Sequence, residues 1–328
     1  DMSDAVCALS SVNMHVNCKT KVCVKKKCPA CDSFRTKKNG HFRGTQRYQC
    51  RDCRVQFVHD TKVSAETLWQ EFAFEHATVP VLSKRHHISK STVHRRLDEY
   101  KLSDYCSAPR TMVAVIDATR VGPVWMLVVR DPHAKENVYA QEISSETTFA
   151  YQEAYKYLKQ DGFSFSAIVS DGRFVAVPWL FPGIPVQMCH FHQEQIVIRY
   201  LTLNPKLEAG VELLALIKTL PRAREESFTD AFILWCSKWH SFLQEKTIDP
   251  ETNQGHWTHR RLRQARDSIS THLPYLFTYQ KYPELNIPNT TNSLDGSFKK
   301  AKLAIGVHAG LTHERQIKLA MSLLSAHG

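Results

Sequence analysis

The sequence predicts an α/β protein whose sheet-built core carries an all-helical insertion and follows two small modules. Three observations carry that reading. Two continuous apolar runs, residues 112–116 and 167–170, lead directly into Asp117 and Asp171, and such runs are typical of strands buried on both faces. Two Cys-x2-Cys pairs, Cys28/Cys31 and Cys50/Cys53, have 18 residues between them. Phe228, Ala231, Phe232, Trp235, Trp239, Phe242 and Leu243 recur at helical spacing. With 328 residues, 43% hydrophobic and 23% charged, the chain can bury a substantial core. Collagen-like, low-complexity and mainly disordered classes are excluded.

The net charge of +11 is unevenly distributed. Residues 1–110 hold 20 Lys and Arg against 11 Asp and Glu, whereas the rest holds 23 against 21. A basic first third on a nearly neutral body points to a polyanionic partner, most simply nucleic acid. No apolar run approaches the roughly 18 residues of a membrane span. The first twenty residues lack an apolar signal-peptide core, so a soluble, intracellular protein is expected.

Residues 1–27 form a basic arm, and residues 28–60 read as a zinc ribbon. Two knuckles at this separation suit a four-thiolate tetrahedral zinc site, with Cys28, Cys31, Cys50 and Cys53 as ligands. Asn39-Gly40 between them is a hairpin-turn signal, and Phe57 can cap a core too small to fold without metal. Cys18 and Cys23 have no such pattern and are read as free thiols. From 61 to 103 the period becomes helical: Leu68, Trp69 and Phe72, then Val79, Val81 and Leu82, then Ile88, Val93 and Leu97. Three short amphipathic helices predict a helix-turn-helix, with Ser89 capping the third. Lys90, Ser91, Thr92, His94, Arg95 and Arg96 on that helix would face the major groove of DNA. Residues 103–110 read as a linker.

Residues 104–206 form the first part of the core. A meander of three strands (112–116, 124–129 and 138–143) leads into a helix with Ala150, Ala154, Tyr157 and Leu158 on one face. The strand at 167–170, another at 185–188 and a helix from about Cys189 follow. This order is that of a ribonuclease-H-like fold, in which the first and fourth strands lie side by side, so Asp117 and Asp171 could share a metal. A carboxylate ending a buried strand is costly without a partner or a cation. Residues 207–285 are the insertion, with a first stripe at Val211, Leu214 and Ile217. Arg260, Arg263 and Arg266 stand three apart and form either a phosphate-tracking ridge or a solvated helix face. Residues 286–328 supply the last core helices. There Asn292 caps a helix whose first turn contains Asp295, which is either a charge at the positive helix end or a third catalytic acid.

The order Asp117, Asp171, Cys189-x2-His192, then Asn289-Thr290-Thr291-Asn292-Ser293-Leu294-Asp295 resembles the Mutator-like DDE transposases, specifically their bacterial insertion-sequence branch, over about residues 111–328. The resemblance implies a DNA transposase of the bacterial cytoplasm, associated with the nucleoid. Asp117, Asp171 and Asp295 would hold two Mg2+ (or Mn2+) ions per active site, beside the structural Zn2+. Its partners would be double-stranded DNA, both the terminal inverted repeats and the target, and a second copy of the chain in a homodimer or higher assembly. Cys189 and His192 are family-motif residues one helical turn apart, which either pack or hydrogen-bond beside the active site in a structural role or ligate zinc. The family's third acid is usually Glu, so Asp295 is one methylene shorter, and Glu284 and Glu314 are fallback ligands. Trp257 packs in the core or, as the resemblance suggests, stacks on an unpaired base. Two rival functions share these features: a structure-directed nuclease, and a catalytically decayed transposase acting as a DNA-binding regulator.

Overall fold

The computed structural model of the chain describes residues 27–42, 45–58, 63–102, 107–172, 180–308 and 310–325. It divides into two units, residues 1–63 and 64–328. The basic arm, apart from Lys27, lies outside the described residues, as do Cys18 and Cys23.

The first unit is a three-stranded antiparallel sheet of β1 (Thr36–Phe42), β2 (Thr45–Cys50) and β3 (Gln56–Val58). Asn39-Gly40 does not make the turn. It forms a bulge within β1, where the register slips between Lys38↔Tyr48 and His41↔Gln46. Gly40 takes φ +66° there, a left-handed conformation that costs glycine little. Its carbonyl accepts from Gln46 Nε2 at 2.8 Å, and that of Asn39 from Arg47 Nε at 3.0 Å. Phe57 stacks on Tyr48 with ring centroids 6.1 Å apart. Among the described residues of this unit, the fully buried hydrophobic side chains are Cys28 and Cys50.

The second unit begins with α1 (Ala65–Ala73), α2 (Val79–Arg85) and α3 (Lys90–Glu99). Ser64 and Ser89 cap α1 and α3, their hydroxyls accepting the Thr67 and Thr92 amides at 2.9 and 3.1 Å. Leu68, Trp69, Phe72, Leu82, Val93 and Leu97 are buried. Val81, expected inside, is 46% exposed: α2 turns Leu82 inward, and its neighbour points about 100° away.

A five-stranded mixed sheet follows. It comprises β4 (Thr111–Val121), β5 (Val124–Asp131) and β6 (Glu136–Ile143), then, after α4 (Thr148–Gln160), β7 (Ser164–Ser170) and β8 (Val186–Met188), which leads into α5 (His190–Leu201). The order is β6-β5-β4-β7-β8. The first three strands are antiparallel hairpin neighbours, whereas β7 and β8 run parallel to β4. Met112, Ala114 and Ile116 alternate onto the face covered by Tyr151, Ala154 and Leu158 of α4. Tyr157, expected on that face, is 56% exposed and lies against Tyr139 at the sheet margin. Tyr151 takes the inward position because 151, 154 and 158 share one helical stripe.

The intervening segment contains α6 (Glu208–Thr219), α7 (Glu225–Lys238), α8 (His240–Leu243), β9 (Lys246–Ile248), β10 (Gly255–Trp257), α9 (Arg260–Leu276) and α10 (Thr278–Lys281). Leu213, Leu214, Ile217, Phe228, Phe232, Trp235, Leu262, Ala265 and Ile269 form its core, with Trp239 and Phe242 packed against them. Val211 is half exposed. The insertion is not all-helical: β9 and β10 make an antiparallel hairpin. Pro250 cannot donate to a continuing helix, and the Asp249 carboxylate accepts from the Glu251 and Thr252 amides at 2.9 and 3.4 Å, which closes a turn instead.

The last described elements are α11 (Asn292–Val307) and α12 (His313–Ser325), which pack against each other. α11 also packs on β4 and α12 on β6. α12 holds the first three helices. Trp69 Nε1 donates to Ser322 Oγ at 2.8 Å, the Lys318 ammonium lies 4.7 Å from the Trp69 ring, and Arg315 forks onto Asp98 at 2.6 and 2.8 Å. His308 Nε2 bonds the Phe72 carbonyl at 2.8 Å while its ring stacks on Phe72. Among the described residues, no helix is long and apolar enough to cross a membrane.

Candidate active site and candidate metal centre

In the first unit, the Sγ atoms of Cys28, Cys31, Cys50 and Cys53 all lie within 4.8 Å of one another. The Cys28–Cys53 and Cys31–Cys50 distances are 3.6 Å. Four thiolates around zinc at about 2.3 Å sit about 3.8 Å apart, so this set could hold a structural metal such as zinc. Amides aimed at the sulfurs favour thiolates. The Cys53 amide, helped by Asp52 N–H at 3.4 Å, outweighs burial and lowers Cys50 to about 7. At Cys31 the Ser33 amide acts in the same sense, but the crowding thiols Cys53 and Cys50 overcome it and push the group up to about 12. Four sulfurs this close cannot all ionise without a cation among them.

In the second unit, the parallel pairing of β4 and β7 ends at Val115↔Val169. Asp117 and Asp171 each follow by two residues, so the two carboxylates leave adjacent strands at one level. β4 continues, paired with β5, to Val121. Asp117 and Asp171 line one wall of a cleft of about 780 Å³, with Arg120 and Trp125 beside them. The opposite walls come from α5 (His192, Gln195, Arg199 and Tyr200) and α9 (Gln264, Asp267, Ser268 and His272). α5 and α9 are joined at the base of the cleft: Gln193 Oε1 bonds His272 Nδ1 at 2.7 Å, and Gln193 Nε2 donates to Ser268 Oγ at 3.3 Å.

Asp117 is 8% exposed. Burial raises it to about 7; His192 opposes the shift, and the Asp171 and Glu146 charges add to it. One of its oxygens accepts the Ala118 amide at 2.8 Å. At His192, burial opposes the charged ring, but the Cys189 sulfur, Asp117 and Asp171 together raise it to about 9. Cys189 is fully buried at the N-terminus of α5. Its thiol meets Thr291 Oγ1 at 3.6 Å and accepts the Thr291 amide at 3.3 Å. The next residue, His190, donates its amide to the Asn289 carbonyl at 2.9 Å. The start of α5 is thereby tied to the segment that opens α11.

Asp295 stands in the first turn of α11, is exposed, and is not among the residues lining the cleft; Glu284 and Glu314 are likewise exposed and outside it. Glu146, which sequence reasoning missed, does line the cleft, and its Oε1 accepts from the buried Tyr151 hydroxyl at 3.0 Å. An acid just before a helix is an ordinary residue at the positive end of a dipole, so nothing local marks it out.

The basic residues expected to meet DNA divide into two groups. Lys90, Ser91 and Arg95 are exposed on α3, with Arg95 3.4 Å from Glu99. His94 is turned toward α12, where Nδ1 meets Arg315 at 2.8 Å, while Arg96 pairs with Glu99 at 3.3 Å and Thr92 is half-buried at the Ser89 cap. On α9, Arg260 is exposed. Arg263 instead lies 3.9 Å over the Trp257 ring and donates to the Leu243 carbonyl at 2.8 Å, and Arg266 pairs with Asp267. The three therefore form no continuous free ridge. The Lys246 ammonium also lies near the Trp257 ring, 4.7 Å from its centroid. The chain matches no protein-family model and no curated protein.

Proposed function

We propose that the chain is a DNA transposase that binds the ends of an insertion sequence and catalyses metal-dependent strand cleavage and strand transfer. The observation that carries this reading is the pair Asp117 and Asp171, set side by side at one cleft from two adjacent parallel strands. The sheet, three antiparallel strands followed by two parallel ones in the order β6-β5-β4-β7-β8, supports a ribonuclease-H-like core. Helices α1–α3, with Ser89 opening an exposed basic third helix, support a helix-turn-helix that meets the major groove. The four-cysteine sheet before it supports a zinc ribbon in the same DNA-binding arm.

The carboxylate set fits hard divalent ions, which prefer oxygen ligands, and a buried acid raised to about 7 is one that a bound cation would relieve. Asp117 and Asp171 would hold two Mg2+ or Mn2+ ions together with a third acid, either Asp295 of the motif on α11 or Glu146 in the cleft lining. Bound there, they would supply activation of water or a 3′-hydroxyl and charge stabilisation at the leaving oxygen. The rest of the chemistry is positioning. Cys189 and His190 fix the start of α11 through Thr291 and Asn289, and the charged His192 ring balances the two aspartates. No covalent protein–DNA intermediate is needed, so no Tyr or Ser nucleophile is assigned.

The test is a strand-transfer assay with end DNA, a supercoiled target and Mg2+ or Mn2+. Joined product abolished by Asp117→Asn and Asp171→Asn is the expected result; undiminished joining in Asp117→Asn refutes the assignment. Asp295→Asn and Glu146→Gln, run in parallel, identify the third acid. The position of Asp295 outside the cleft lining favours one second reading, a DNA-binding regulator descended from a transposase. It would bind DNA and cut none, and Asp295→Glu would restore cutting if the shortened acid alone were at fault.

A further inference from the structure

The cleft that holds the two aspartates also carries cations that the carboxylate chemistry does not use. Arg120 comes from the part of β4 that runs on beyond β7, Arg199 from the last turn of α5, and Lys302 from the middle of α11. All three are exposed at the cleft, and among the described residues none has an ion-pair partner. This contrasts with the other arginines near the cleft: Arg266 is matched to Asp267, and Arg261 donates to the Arg199 carbonyl at 2.8 Å.

Three unpaired cations from three separate elements around one carboxylate pair suit an extended anion better than a compact one. A lone phosphate held by the aspartates' ions would leave most of this charge unused, whereas a polynucleotide strand presents a phosphate on each side of the one being attacked. The geometry points to Arg120, Arg199 and Lys302 as the residues that hold the DNA phosphates flanking the scissile one, so that the strand is positioned across Asp117 and Asp171. Phosphate contacts of this kind set register and orientation and carry no base preference. The assignment rests on the proposed reading of the cleft as a site of phosphoryl transfer and names the substrate contacts of that site.

The experiment measures binding of the full chain to a labelled DNA duplex over a salt series without divalent metal. The variants are Arg120→Gln, Arg199→Gln and Lys302→Gln, singly and together, with Arg120→Lys as the charge-preserving control. A cation that no longer neutralises its phosphate lowers the slope of log K against log salt by about 0.9. Each single variant is therefore expected to flatten the slope by about 0.9 and the triple variant by about 2.7, uniformly across DNA sequences, while Arg120→Lys keeps it. Because the side chains are exposed, an unchanged melting temperature identifies folded variants. Slopes equal to wild type in folded variants, from a wild-type protein that cuts DNA with Mg2+, overturn this inference and leave the reading of the cleft standing. A wild-type protein that shows no Asp117-dependent cutting overturns that reading and takes the inference with it.

Discussion

Asp117 and Asp171 each lie two residues beyond Val115↔Val169, the last registered pair between two parallel strands. Neighbouring parallel strands keep residues at one level in step, so equal offsets put both acids at the same edge of the sheet. Burial and mutual repulsion then raise Asp117 to about 7.

That shift fixes a pH dependence for the metal-free protein. The native Asp117 carboxyl keeps its proton up to about pH 7, whereas the unfolded one releases it near pH 4. Between these values the native state binds more protons, so stability falls as pH rises. His192, held at about 9, adds stability below its unfolded pKa that is lost as pH climbs through 9. Thermal melts without metal should show a falling Tm from pH 5 to pH 9. Asp117→Asn should recover about 2–4 kcal/mol at pH 8, and Mg2+ should raise the wild-type Tm there but not the variant's.

Zinc should be required by the first unit alone. Among its described residues that unit buries little besides Cys28 and Cys50, so metal binding supplies the folding energy that a core would otherwise give. One zinc per chain is expected by elemental analysis, lost in Cys50→Ser. Chelation should make the 27–58 region protease-sensitive and leave cleavage of the second unit unchanged; a cut at the described residues of α1–α12 that appears only on chelation would contradict this.

Cys189→Ala should act on the start of α11. It strips the buried Thr291 amide and hydroxyl of their sulfur partner, which costs about 1–3 kcal/mol. Because this contact orients the segment leading to Asp295, the loss of strand transfer should exceed what the stability loss explains, with DNA affinity unchanged. Cys189→Ser should restore part of both.

Trp69→Ala should cost about 3–5 kcal/mol, since the ring is fully buried and its Nε1 bonds Ser322 on α12. Urea unfolding of the second unit reads this directly. By contrast, Arg95→Ala on the exposed side of α3 should leave stability within about 0.5 kcal/mol and weaken DNA binding.

The parts of the molecule legible in the sequence are those where neighbours along the chain decide the structure. The two Cys-x2-Cys pairs, the cap at Ser89 and the apolar runs ending in Asp117 and Asp171 are of this kind. Glu146 and Lys302 reach the cleft only because the strand order and the return of α11 bring distant segments together. The setting of Arg263 is hidden for the same reason: its partner, Trp257, comes from the hairpin before α9. Strands β9 and β10, three residues each, are too short to show a period-two pattern. Val81 and Tyr157 each lie close along their helix to a residue that takes the inward position, and helical spacing alone separates such neighbours poorly.

The contact between Cys189 and Thr291 closes over 102 residues, with the whole insertion looped out between them. Closing so long a loop carries an entropic cost that must be met before the contact gives anything back. The sheet that bears Asp117 and Asp171 depends on much shorter separations, so it can form while the insertion is still being synthesised. The segment that brings Lys302 to the cleft has to wait until α11 has left the ribosome. A nascent chain of this protein therefore holds the sheet with Asp117 and Asp171 before the wall that carries Lys302 has docked against it.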